Sequence, residues 1–352
     1  MSHRTAHDRT TAPTADYSRP TSSPSIEHII SSRLSRRSAL LGMAAATGAG
    51  MFGGRLFGGA TAQAASMRLG FTELTRAYDE KDHVAPGYAK QVLIRWGDPV
   101  VKGAPAFDPA AMSGSAQEQQ FGYNNDFMAF LPLPAGSTSS DHGLLCINHE
   151  YTNHHIMWPG LTEDDAAGKL DKGQVEVSMA AHGHSVVEVQ KTAGQWQVVA
   201  DSAYGRRFTA NTKIRISGPA AGHDLLKTAT DPTGTEVLGT LDNCSGGATP
   251  WGTILTCEEG AADWFGGDGA KVAQAKMFER AGYSELSDSN GWARFHDRFN
   301  VDKEPNEPNR FDWVVELDPY DPGSVPVKRT ALGRFGHEAA TSIINKDGRA
   351  VV

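Results

Sequence analysis

The sequence is short of long apolar runs, of basic charge, of familiar catalytic motifs and of helical periodicity. No apolar run reaches the about 20 residues of a membrane-spanning helix, because Arg55 and many glycines interrupt the stretch that follows Arg37. The net charge is −8, and beyond Ala64 there are 26 Lys and Arg against 38 Asp and Glu, a net of −12. A chain of that sign makes a poor nucleic-acid partner and a good partner for cations, whose preferred hard ligands are clustered carboxylates. No G-x-S-x-G elbow, P-loop or H-E-x-x-H occurs, which excludes the common motif-borne hydrolases. Residues 270–282 are the single helix candidate. Three cysteines, Cys146, Cys244 and Cys257, are an odd number, so at least one is unpaired within the chain.

What is present begins with an export address. Residues 1–35 are rich in Ser, Thr, Pro, His and Arg without apolar periodicity, and read as a disordered leader. Arg36-Arg37 then precede a weakly apolar run of Ala, Gly, Leu and Met that closes on Ala62-Gln63-Ala64. A paired arginine before such a run and a small-residue cleavage pattern is a twin-arginine signal, so residues 36–64 are expected to send the chain to the periplasm or beyond. The remainder, residues 65–352, is long enough for one large domain or two ordinary ones.

With 38 Gly and 18 Pro, that remainder reads as turn-rich all-β structure. Strands are expected at 91–98, 127–133, 143–150, 186–189, 196–200, 252–259, 311–319 and 328–335, and within 339–352 around a turn at Asp347-Gly348. Thr192-Ala193-Gly194 marks the hairpin between the fourth and fifth of these. Many short strands with turns between them suggest a sandwich, barrel or propeller. Residues 162–172 and 288–308 look like irregular surface insertions. The chain stops at Ala350-Val351-Val352, just after a turn, and is expected to be a fragment of a longer protein or the product of a premature stop.

The densest chemistry lies in "NCSGGATPWGTILTCEEG", residues 243–260. Cys146 and Cys257 sit in apolar strands and read as small buried hydrophobes. Cys244, beside paired glycines, reads as a loop thiolate suited to a metal. Strand alternation places Ile254, Thr256 and Glu258 on one face and Leu255, Cys257 and Glu259 on the other, so the adjacent glutamates should not converge while the strand stays regular. "INHEYTNHH" offers Glu150 at a strand exit, either a metal ligand or a surface carboxylate with His149 packed in the core. "FGYNNDF" holds Asn124, Asn125 and Asp126, either a turn or calcium ligands. His182 and His184 in "AAHGHSV" read as structural hydrogen-bonding groups, and "RFGHEAA" adds His337 and Glu338.

Taken in order, "GYAKQVLIRWGDPV", "FGYNNDFMAFLPL", "INHEYTN", "SMAAHGHSVVEV", "SGPAAGHDLLKTATDPTGT", "NCSGGATPWGTILTCEE" and "RFGHEAA" resemble successive signature blocks of the PhoX-type alkaline phosphatases. The resemblance implies a twin-arginine-exported, six-bladed β-propeller, of which this chain would hold the N-terminal half to two-thirds. It implies a cluster of Fe3+ and Ca2+ at the propeller mouth and hydrolysis of phosphate monoesters, with a metal-bridging oxo or hydroxo group as nucleophile. On the matching positions it makes Cys244 and Glu338 iron ligands, and Glu258, Glu259 and Glu150 carboxylates of the cluster. Partners would be phosphate esters and the export machinery, with a monomer as the default state. A phosphodiesterase on the same scaffold and a non-catalytic calcium-binding propeller are the alternatives.

Overall fold

The structure, a computed structural model, describes residues 72–75, 77–162 and 166–352. The expected leader and signal segment lie outside the described residues. The chain divides into two units, Met1–Lys90 and Gln91–Val352. The described residues of the first carry no strand or helix. The second holds the sheets, and no described helix is long and apolar enough to cross a membrane.

Among the described residues, eleven strands make two sheets. The first pairs β1 (Asn125–Pro132), β2 (His142–His149), β3 (Gly183–Thr192) and β4 (Gln195–Val198) in that order, with β5 (Arg206–Phe208) also on β3. The second runs from β7 (Glu236–Leu238) through β6 (Lys213–Ser217), β11 (Val327–Arg329), β10 (Val314–Leu317) and β9 (Ile254–Glu258) to β8 (Asn243–Ala248). All pairings are antiparallel except β6 with β11. A short hairpin of β12 (Ile343–Ile344) and β13 (Ala350–Val351) follows. Sheet therefore predominates, as the turn-rich composition implies, and among the described residues the two sheets do not close into a barrel or propeller.

The hairpin β3–β4 forms where Ala193 and Gly194 both take positive φ, 51° and 81°, the conformation a tight two-residue hairpin turn requires. Residues 91–98 are not a strand. Gly97 turns the chain with φ 86°, and the Asp98 carboxylate accepts from Arg95 N at 2.7 Å, closing a local turn instead of offering a ladder.

Two further expectations are corrected. Residues 288–308 are no surface insertion: Trp292, Phe299 and Val301 are buried and pack with Phe265, Phe278, Tyr283 and Phe311 into the largest apolar cluster. Short 3-10 turns, Trp292–Arg294 and Asp297–Phe299, carry those side chains inward. Among the described residues the longest helix is Lys172–Ala181, which periodicity did not reveal. Asp171 and Gln174 close a capping box at its start, while Val175, Val177, Ser178, Met179, Ala180 and Ala181 are all buried. A helix covered on nearly every side has no apolar stripe to detect. The helix expected at 270–282 is shorter, Ala275–Arg280.

Candidate metal centre

β1 and β8 are edge strands of different sheets, and the Asn148 side chain on β2 ties the sheets together beside them. Its amide donates to the carbonyls of Cys244, at 2.6 Å, and Ser245, at 3.0 Å. His184 Nδ1 lies 2.7 Å from Asn148 Oδ1 and holds that amide with its NH2 toward β8.

Both edge strands carry an irregularity where they meet. On β8 the register passes from Asn243↔Glu258 to Gly246↔Thr256, so β8 has one more residue than β9 and Cys244-Ser245 bulge. On β1 it passes from Asn125↔His149 to Met128↔Ile147, placing Asp126-Phe127 in a second bulge. A bulge re-aims the side chains it contains. Here it brings Cys244 Sγ within 3.0 Å of Asp126 Oδ2. Glu150, just past the end of β2 with its N–H on Asn124 O, completes a group whose ligand atoms all lie within 4.8 Å of one another. Cys244 thus sits in a bulged strand, not in the loop expected.

Other acids surround this trio. Glu259 follows β9, and its N–H donates to Asp242 O at 3.1 Å. Asp242 precedes the bulge with φ 50°. The 334–338 loop reaches the group because Gly336 abuts Glu259: a Cβ there would overlap the Glu259 carbonyl. That places Glu338 within electrostatic reach of Glu150.

The electrostatics follow from crowding. Burial, then Asp126, Glu259 and Glu338, raise the Glu150 carboxyl above its ordinary value. Burial, then Glu150 and Glu259, push Asp242 up to about 8. Burial and hydrogen bonds to Asp126 and Glu259 raise the Cys244 thiol well above its usual range. Glu150, Asp242 and Cys244 are thus pushed toward their neutral forms, and a bound cation would oppose all three shifts at once. The donor set fits that role: oxygens suit Ca2+ and other hard cations, and the thiolate suits a transition metal.

The expected ligands therefore separate. Cys244 and Glu150 converge with Asp126, while Glu259 and Glu338 lie within electrostatic reach of Glu150. Of its trio, Asn124 makes the turn, donating to Tyr151 O and Asn153 Oδ1. Asp242 was not foreseen; its one signal is its position two residues before the thiol. Glu258 is a correction. It is fully buried and points to Lys328 Nζ at 2.7 Å, because strand alternation sends it to the face opposite Glu259. Cys146 and Cys257 are buried in apolar clusters, as expected. His182 and His184 are structural: His182 binds Ser178 O and Trp264 Nε1, and His184 binds Asn148.

Two clefts flank the group. One of about 360 Å³ is lined by Tyr151, Asn153, His155, Asp242, Asp263 and Asn290. Another of about 560 Å³ is lined by Glu259, Met277, Arg280, Arg334 and Phe335.

Fold and site together define a sheet-built protein in which a thiol and several carboxylates converge where two sheet edges meet. The profile of the family described as "Alkaline phosphatase PhoX" matches residues 69–352, and the chain belongs to that family. Among solved structures it is similar to "Pseudomonas fluorescens PhoX in complex with vanadate, a transition state analogue", with 47% identity and a TM-score of 0.69. That match covers 76% of this chain and 45% of the Pseudomonas chain, so the chain spans less than half the length of that relative. No curated protein matches it.

Proposed function

We propose that this chain carries ligands of the metal centre of an exported phosphatase that releases inorganic phosphate from phosphate monoesters. The observation that carries the reading is the convergence of Cys244, Asp126 and Glu150 on one point in a chain of the PhoX family. Vanadate bound to the Pseudomonas relative as a transition-state analogue supports phosphoryl transfer as the chemistry.

In this reading Cys244 and Glu338 hold Fe3+, and Glu150, Glu259 and Asp126 share Fe3+ and Ca2+ among them. Cations held there would offset the substrate's negative charge and polarise its phosphoryl oxygens. The protein's part is placement. The β1 and β8 bulges aim Asp126 and Cys244 at one point, and Asn148 keeps the two sheets in register. Arg280, exposed on the larger cleft beside Glu259, is placed to meet an anionic ester. In this reading the sheets belong to a six-bladed propeller with the acidic group at its mouth. Arg36-Arg37 direct twin-arginine export to the periplasm or beyond, and the protein acts as a monomer.

The test is phosphate release from p-nitrophenyl phosphate and from bis-p-nitrophenyl phosphate by exported protein of known metal content. Monoester hydrolysis lost on chelation and restored by Ca2+ and iron supports the reading. A preference for the diester, or activity indifferent to chelation, contradicts it.

A further inference from the structure

Glu258 and Lys328 form an ion pair with both side chains fully buried, directly behind the acidic group. Lys328 Nζ also donates to Arg310 O at 2.8 Å and lies 4.0 Å from the centre of the Phe311 ring. The Glu258 carboxylate accepts from Trp313 N at 3.1 Å and from Leu241 N at 3.4 Å. Its backbone carbonyl accepts from His337 N at 2.9 Å. One residue thus touches the segment leading into Asp242 and Cys244, the loop carrying Glu338, and, through its own peptide bond, Glu259.

A buried ion pair adds little stability over a well-packed apolar pair of the same size. What an apolar pair would not supply is an acceptor for the Leu241 and Trp313 amides. Resting on the metal-centre reading, we infer that Glu258, held by Lys328, is a positioning residue that sets the spacing of the Asp242–Cys244, Glu259 and His337–Glu338 segments. It touches no metal itself. The two glutamates that look like twins in the sequence divide the labour: Glu259 faces the group, and Glu258 fixes the backbone that presents it.

The test compares wild-type full chain with Glu258→Leu/Lys328→Met, which removes both charges together, and with Glu258→Gln/Lys328→Met, which restores one acceptor. Chelator-treated proteins are titrated with Ca2+ calorimetrically, and amide exchange is measured on the metal-free forms. The apolar variant should need roughly 10-fold more Ca2+ for half-saturation, with the number of bound ions unchanged. The Leu241 and Trp313 amides should lose protection, and the Glu258→Gln/Lys328→Met variant should recover part of both effects. Should the apolar variant not fold, this amide-bearing variant, displaced from wild type in the same direction, carries the comparison. Loss of one bound ion in either variant would make Glu258 a ligand and overturn the inference. Wild-type half-saturation in a folded variant would overturn it too, leaving the pair purely structural. Wild-type protein that binds no Ca2+ would instead sink the metal-centre reading on which the inference stands.

Discussion

The hairpins β3–β4 and β8–β9 have the same plan and opposite character. In β3–β4 every pair from Val189↔Val198 to Thr192↔Gln195 keeps one register, and the end of the hairpin is exposed. In β8–β9 the register slips by one residue at Cys244-Ser245, every residue of β9 is buried, and the slipped pair faces the acids. The regular hairpin satisfies its backbone with itself. The bulged one leaves a side chain aimed across to another sheet, and that is where chemistry can be placed. In the proposed metal centre it is this defect in the ladder, held open by the surrounding buried contacts, that aims the thiol.

The sharpest way to break this comparison is Cys244→Ala. Loss of the only thiol in the group should lower bound metal and reduce monoester hydrolysis by about 100-fold or more, given how strongly metal ligands control affinity and charge stabilisation. Cys257→Ala, one strand over on β9, should leave metal content unchanged and cost about 1 kcal/mol of stability for the small cavity it opens. Metal analysis, activity and thermal unfolding on both variants check the pair. If the two behave alike, the bulge has no special role.

Next in size is Asn148→Ala. It removes the amide that binds the Cys244 and Ser245 carbonyls and leaves His184 without its partner. Unpaired buried polar groups should cost about 1–3 kcal/mol. Metal affinity should also fall by roughly 10-fold, because the bulge loses its tie to β2. Calorimetric titration and chemical denaturation measure the two effects separately.

A smaller effect is expected from pH on chelated protein. Asp242 is raised to about 8, so its stabilising protonation is complete below its ordinary value near 3.8 and is lost as pH climbs through about 8. Burial instead drives His154 down to about 4, and His182 and His184 to about 3. Their contribution is lost as pH falls below about 6.5, where the unfolded histidines take up protons. Tm of the metal-free protein should therefore peak near neutrality and fall by roughly a few degrees toward pH 8.5. Saturating Ca2+ should flatten the alkaline limb and leave the acid limb in place. An unchanged alkaline limb would place the cation away from Asp242 and its neighbours.

The smallest change belongs to the regular hairpin. Gly194→Ala forces a side chain into φ 81° and should cost about 1 kcal/mol with no change in metal binding.

The contrast also marks what the sequence made legible. β2, β9, β10 and the β3–β4 hairpin were readable because apolar runs and turn residues act locally. The thiol, Glu150, Glu259 and Glu338 were readable as chemistry-bearing residues near strand ends. Asp126 stayed ambiguous between turn and ligand, because a one-residue slip against β2 is a property of pairing that one strand's composition does not carry. Glu258 was grouped with Glu259 although alternation already separates them; only the partner strand, bringing Lys328 across β10, shows what the inward carboxylate meets. The buried helix Lys172–Ala181 and the aromatic turns of 288–308 escaped because their burial is tertiary, with no period to read.

The proposed metal centre stands on Cys244 and its neighbouring carboxylates. Iron K-edge absorption on exported wild-type protein and on Cys244→Ala tests it most directly. Wild type should show bound iron with a sulfur scatterer in its first coordination shell, and the variant should lack it. Iron bound by oxygen and nitrogen alone in wild type, or an identical spectrum in the variant, would contradict it.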